Sequence, residues 1–180
     1  MGSDREVILR EEEIAARVSA MAGEISRALA GTSPVLIPLL KGGFVFAADL
    51  MRRLDLDVTV EFLGAASYGE ETESSGEVRL TLDTSAPLAG KHVLLVEDIV
   101  DTGLTLAYIQ KLIRSRSPAS LSTAVLLDKK ARRQVEVELT WTGFVIPDRF
   151  VFGYGLDGPG GACRNLRDVV ALKDERLADG

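Results

Sequence analysis

The chain has 180 residues, 46% of them apolar, a length that supports one sizeable hydrophobic core and is short for two, so a single domain over residues 1–180 is expected. Its 27 acidic residues outweigh 21 lysines and arginines for a formal charge of -6, the opposite of the footprint of a nucleic-acid binder, although a local site for a small anion can oppose that global field. Cys163 is the only cysteine, the start Met1-Gly2-Ser3-Asp4 lacks the basic and apolar regions of a signal peptide, and no apolar run approaches the ~20 residues of a bilayer span, so a cytoplasmic protein without membrane association is expected.

Along the chain, Ile14, Val18, Met21, Ile25 and Leu29 recur every three or four residues behind Glu11, Glu12 and Glu13, which suit a helix N-terminus. The spacing predicts an amphipathic helix over 11–30. Pro34 to Leu40 reads as a strand, Lys41-Gly42-Gly43 as a tight turn and Phe44 to Leu54 as a helix. Val58 to Leu63 reads as another strand. The polar run from Ser67 to Gly76 has the glutamate, serine and glycine content of a mobile loop. Val78, Leu80 and Leu82 alternate as a half-exposed strand, and Val93-Leu94-Leu95-Val96 reads as a buried central one. Helical spacing resumes over Leu104 to Arg114, followed by an apolar strand over Leu121 to Leu127. Strands and helices alternating at this pitch imply an α/β fold with a mostly parallel central sheet flanked by helices. From Lys129 onward helical periodicity fades. Short strands at Gly143 to Ile146, Phe150 to Tyr154 and Val169 to Leu172 are expected to pack as a flap beside the sheet.

The segment Glu97-Asp98-Ile99-Val100-Asp101-Thr102-Gly103-Leu104-Thr105 joins a buried strand to a helix, where ligands bind in open α/β sheets. The amides of Asp101 to Thr105 converge on a helix N-terminus suited to a phosphate, Thr102 and Thr105 add hydroxyl donors, and Gly103 permits close approach. Glu97 and Asp98 are acceptors for two adjacent sugar hydroxyls and for a hydrated divalent cation. Together they describe a pocket for a phosphorylated ribose. The plainer alternative is that Asp98 and Asp101 cap the following helix. His92, at the start of a buried strand, and Trp141 are read as structural, and Cys163 as a bystander thiol.

This acidic turn resembles the phosphoribosyl pyrophosphate motif of type I phosphoribosyltransferases. The wider pattern is similar to the bacterial hypoxanthine-guanine branch of that family. It includes Leu40-Lys41-Gly42-Gly43-Phe44, Ser67-Tyr68-Gly69, Leu127-Asp128-Lys129, and the run from Ile146 through Phe150 to Asp157. The resemblance implies the type I phosphoribosyltransferase fold, with a small hood formed by the chain ends. It implies purine salvage: transfer of the 5-phosphoribosyl group from phosphoribosyl pyrophosphate to hypoxanthine or guanine, with Mg2+ and as a homodimer or homotetramer.

Residue by residue, the resemblance assigns the ribose diol and metal to Glu97 and Asp98, the 5-phosphate to Asp101, Thr102, Gly103, Leu104 and Thr105, and general-base catalysis at purine N7 to Asp101. Lys41, Gly42 and Arg164 are assigned to the pyrophosphate, with a non-proline cis peptide between Leu40 and Lys41. Lys129 is assigned to the purine 6-oxo group, Phe150 to stacking, Val151 to the base edge through its backbone, and Asp157 to the purine 2-position and a second metal. Ser67 and Tyr68 belong to a loop that closes over the reacting centre. A lysine donor at O6 should reject adenine, whose amine would meet it donor to donor. Gly158 to Cys163 departs from the family pattern, which is more polar and aromatic there, and sets Arg164 one residue farther from Asp157. Two alternatives are a xanthine-preferring relative and a nucleotide-sensing regulator on the same fold that binds nucleic acid; the acidic charge weighs against the regulator.

Overall fold

The computed structural model describes residues 5–67 and 78–173. Of the loop expected over Ser67 to Gly76, all but Ser67 lies outside the described residues. Ser67 ends strand β4.

The main sheet runs β5 (Val78–Leu82), β4 (Leu63–Ser67), β2 (Val35–Leu40), β6 (His92–Val100), β7 (Ser120–Asp128) and β8 (Trp141–Val145), with the two-residue β3 (Thr59–Val60) also on β2. Every pairing is parallel except β4 with β5. Helices α1 (Glu11–Ala28) and α2 (Phe44–Met51) cover one face, and α3 (Leu104–Ser115) the other. Because side chains alternate along a strand, Leu94 and Val96 of β6 enter the core with α1 and α2, while Val93 and Leu95 enter the core with α3. A strand covered on both sides must be apolar at consecutive positions, which explains the uninterrupted run in β6.

The expected strand over Val58 to Leu63 is two strands. β3 pairs with Val35 and Leu36, β4 pairs with Leu39 and Leu40, and the gap lies opposite Pro38. Proline has no N–H to donate, so the ladder on that side of β2 is interrupted where Pro38 falls.

The chain ends form a second, antiparallel sheet in the order β1 (Arg5–Leu9), β10 (Val169–Leu172), β9 (Val151–Phe152). This is the expected hood. The expectation that everything after Lys129 joins it is corrected by β8, which pairs in parallel with β7 as an edge strand of the main sheet. Its crossover contains a single 3-10 turn (Lys130–Arg132) rather than a helix, so it carries no helical periodicity. Arg17 of α1 secures this edge by donating to the carbonyls of Thr142 and Gly143.

Candidate active site

β6 is the central strand, and the segment that follows it forms the floor of a cavity of about 440 Å³ at the carboxyl end of the sheet. Glu97, Asp98, Asp101, Thr102, Gly103 and Thr105 all line it. Gly103 precedes α3 with φ +87°, and a Cβ there would lie 2.8 Å from the Val135 carbonyl oxygen, so both conformation and space require glycine. The N-cap of α3 is Gly103, which has no side chain to cap with, and the Leu104 amide donates to Thr102 Oγ1 at 3.4 Å. Asp98 and Asp101 are therefore not spent on capping.

Glu97 and Asp98 are both buried. Asp98 continues the phase of Leu94 and Val96 and meets the turn before α2: a Cβ on Gly42 would fall 1.6 Å from Asp98 Oδ2. Burial, and then the adjacent Asp98 carboxylate, push the Glu97 carboxyl well above its ordinary value. Two buried acids side by side are stabilised by hydroxyl donors or a cation. Among the described residues no group of three or more His, Cys, Asp or Glu comes together as a metal cage. The pair instead suits an ion such as Mg2+, which takes one or two carboxylates and completes its shell with water and substrate oxygens. Leu40 and Gly42 also line the cavity, and the Leu40-Lys41 peptide is cis as expected. The Lys41 side chain is exposed and lies off the cavity wall.

Asp101 lies between cations. Lys129 Nζ is 3.9 Å from Asp101 Oδ2, and Arg132 Nε is 3.3 Å from Asp101 Oδ1 and 3.9 Å from Asp148. Oδ1 is buried and, although Arg132 is close, makes no hydrogen bond. Lys129 is buried, and its amide donates to the Val100 carbonyl. No signal in the sequence marks the contacts of Arg132 and Arg133 with this turn, which depend on the chain folding back over it.

Asp157 reaches the cavity from the opposite side on a turn tied to α2. Gly155, φ +100°, packs so that a Cβ would lie 2.5 Å from the Gly42 carbonyl oxygen, and the Tyr154 hydroxyl donates to Asp49 at 2.7 Å. Arg164 donates to the Gly155 carbonyl at 2.7 Å and pairs with Asp157 at 2.9 Å. It thus braces the Asp157 turn and does not itself line the cavity. Val151 is buried in the hood and Phe150 is 40% exposed, its ring 6.1 Å from that of Phe152. Neither lines the cavity, whose walls enclose the acidic turn, Gly42 and Asp157. His92 is structural as expected, with Nδ1 2.8 Å from Ser120 Oγ.

A glycine-led helix start, two buried acids and an aspartate set between Lys129 and Arg132 thus gather at the carboxyl end of a parallel sheet, where open α/β folds bind their ligands. The chain belongs to the phosphoribosyl transferase family, whose domain model matches residues 4–158. A hypoxanthine-guanine phosphoribosyltransferase of Aquifex aeolicus is 43% identical over 174 residues, covering 96% of this chain and 97% of that one. A solved hypoxanthine-guanine phosphoribosyltransferase from Bacillus anthracis superposes with a TM-score of 0.89 at 40% identity, covering 94% of this chain and 99% of that one. A Trypanosoma cruzi hypoxanthine phosphoribosyl transferase, studied for the role of its C-terminal region in oligomeric state and activity, gives a TM-score of 0.90 at 42% identity over 99% of this chain and 96% of that one.

Proposed function

We propose that this chain, as one domain over residues 1–180, transfers the 5-phosphoribosyl group of phosphoribosyl pyrophosphate to hypoxanthine or guanine, forming IMP or GMP and pyrophosphate in purine salvage. The observation that carries the reading is the Asp101–Lys129 pair beside the acidic cavity: a carboxylate with one oxygen that makes no hydrogen bond and a buried ammonium 3.9 Å apart. A 6-oxopurine offers the complement, a ring N–H for the carboxylate and an oxo group for the ammonium.

In this reading the amides and hydroxyls from Asp101 to Thr105 hold the 5-phosphate, and Glu97 and Asp98 accept from the ribose diol. Gly42 lets Lys41 and its backbone approach the pyrophosphate. The bond from the anomeric carbon to pyrophosphate oxygen breaks, a bond from that carbon to the purine N9 forms, and Asp101 takes the proton from N7. Glu97 and Asp98 also place negative charge where an oxocarbenium-like ribose develops. Mg2+ held by Glu97 and Asp98, and a second ion held with the help of Asp157, would neutralise the pyrophosphate leaving group. Phe150 stacks on the base, the Val151 backbone reads its edge, and Arg164 acts on the pyrophosphate side through Asp157. Ser67 and Tyr68 belong to the closing loop that excludes water from the activated sugar. The enzyme works in the cytoplasm as a homodimer or homotetramer, a state that size-exclusion chromatography with light scattering reads directly.

Mass analysis of the products tests the chemistry. Hypoxanthine with phosphoribosyl pyrophosphate and Mg2+ should yield IMP and pyrophosphate in equal amounts, and adenine should yield no AMP; free ribose 5-phosphate without IMP would contradict transfer.

A further inference from the structure

Asp128 closes β7 as a 2% exposed carboxylate, and the residue that neutralises it is Arg133, five positions on and across the 3-10 turn. A buried charge is costly unless paired, so this pair fixes the guanidinium in one orientation. Held there, Arg133 donates from Nη2 to Asp128 and from Nε to the backbone carbonyl of Asp101 at 3.2 Å. Its stem lies over Gly103, where a Cβ would stand 2.9 Å from Arg133 Cδ. The next two amides, of Gln134 and Val135, donate to the Thr102 carbonyl at 2.9 and 3.3 Å. One guanidinium therefore ties the strand end that carries Lys129 to the turn that carries Asp101, Thr102 and Gly103. A rigid fork can hold two acceptors in fixed relation; an ammonium on a flexible stem cannot.

We propose that Arg133 is a positioning residue that holds the base-recognising lysine and the phosphate-binding turn in register, acting through Asp128 and the Asp101 backbone without touching either substrate. The inference rests on the reading of the cavity as a phosphoribosyl site. It predicts a loss at both ends of the site from one remote change, because a displacement of about 1 Å can cost on the order of 10²-fold in rate.

The test uses the full chain carrying Arg133→Lys, which preserves the charge beside Asp128, and in parallel Asp128→Asn, which leaves the bond to the Asp101 carbonyl intact. Arg133→Lys should melt near the parent temperature; Asp128→Asn, which leaves the guanidinium without its carboxylate, should melt lower and is assayed at a temperature where circular dichroism shows it folded. Ribose 5-phosphate, titrated calorimetrically, should bind about tenfold or more weakly, and KM should rise for both phosphoribosyl pyrophosphate and hypoxanthine while kcat falls. Parent-like ribose 5-phosphate affinity in either folded variant overturns the proposal, as does a loss of activity that only tracks the unfolded fraction measured by circular dichroism. A parent that binds ribose 5-phosphate yet turns over no 6-oxopurine sinks the substrate reading, and the calorimetric comparison still decides the role of Arg133.

Discussion

Lys129 Nζ lies 3.9 Å from Asp101 Oδ2, and strand register puts them there. Val100 of β6 pairs with Asp128 of β7 in parallel, so Asp101 and Lys129 are the next residue on each of two adjacent strands. Two reactive groups far apart in sequence thus share one end of the sheet without any special loop. Their mutual contact keeps the buried ammonium paired until a base with both a donor and an acceptor edge arrives.

Asp101→Asn should fold as the parent does, since Oδ1 makes no hydrogen bond and the ion pairs it gives up are a loose one to Lys129 at 3.9 Å and one to the half-exposed Arg132 at 3.3 Å. It should retain phosphoribosyl pyrophosphate binding in calorimetry, but kcat with hypoxanthine should fall by about 10²- to 10⁴-fold, the usual range for a lost general base. Unchanged turnover would remove Asp101 from the proton transfer.

Lys129→Met keeps the apolar stem and deletes the ammonium. Loss of a charge-assisted hydrogen bond to the 6-oxo group, at about 1.5–3 kcal/mol, should raise the KM for hypoxanthine about 10- to 100-fold. Initial rates with hypoxanthine and adenine measured side by side should show discrimination narrowing; a parallel fall for both bases would place the lysine elsewhere.

The two glycines of the site should fail differently. In Gly42→Ala the new methyl meets the Asp98 carboxyl group and no backbone, so the side chain must turn away: the melting temperature should fall less than in Gly103→Ala while kcat/KM drops about 10²-fold through misplaced chemistry. In Gly103→Ala the clash is with backbone at Val135 and φ is +87°, so stability should also fall, by about 1–3 kcal/mol from the backbone conformation alone. Thermal melts beside steady-state rates separate the two cases.

Several of these relationships were legible in the sequence and several were not, for physical reasons. The apolar run before Glu97 announced a strand buried on both faces, and the turn after it was expected at a strand-to-helix junction, where it does line the cavity. Arg133 could not be read, because its partner Asp128 is buried only once β8 has joined the sheet, and β8 arrives through a crossover with no helical period. Pro38 did carry a signal for the split between β3 and β4, but it acts on a neighbouring strand, and that neighbour is known only from the fold. Arg164 was assigned to the pyrophosphate by resemblance, whereas its contacts are with Asp157 and the Gly155 carbonyl.

Glu97 makes stability depend on pH with a definite sign. Its folded-state carboxyl is raised above the ordinary 4.5, by burial first and then by Asp98, so the folded state holds the proton over a range where the unfolded chain has released it. The stabilisation is fully present below about 4.5 and is lost as pH rises through the raised value. Glu97→Gln should therefore melt higher than the parent at pH 7 to 8, with the gap closing toward pH 4.5. Mg2+ with phosphoribosyl pyrophosphate should narrow the gap by stabilising the parent more than the variant; a parent that melts higher at every pH would contradict this account.

The most direct measurement is a spectrophotometric initial-rate assay with phosphoribosyl pyrophosphate and Mg2+, offered hypoxanthine, guanine, xanthine and adenine in turn. The account predicts turnover with hypoxanthine or guanine, none with adenine, and loss of all turnover on adding excess EDTA. No turnover with any of the four bases, or adenine turning over as fast as hypoxanthine, would contradict it.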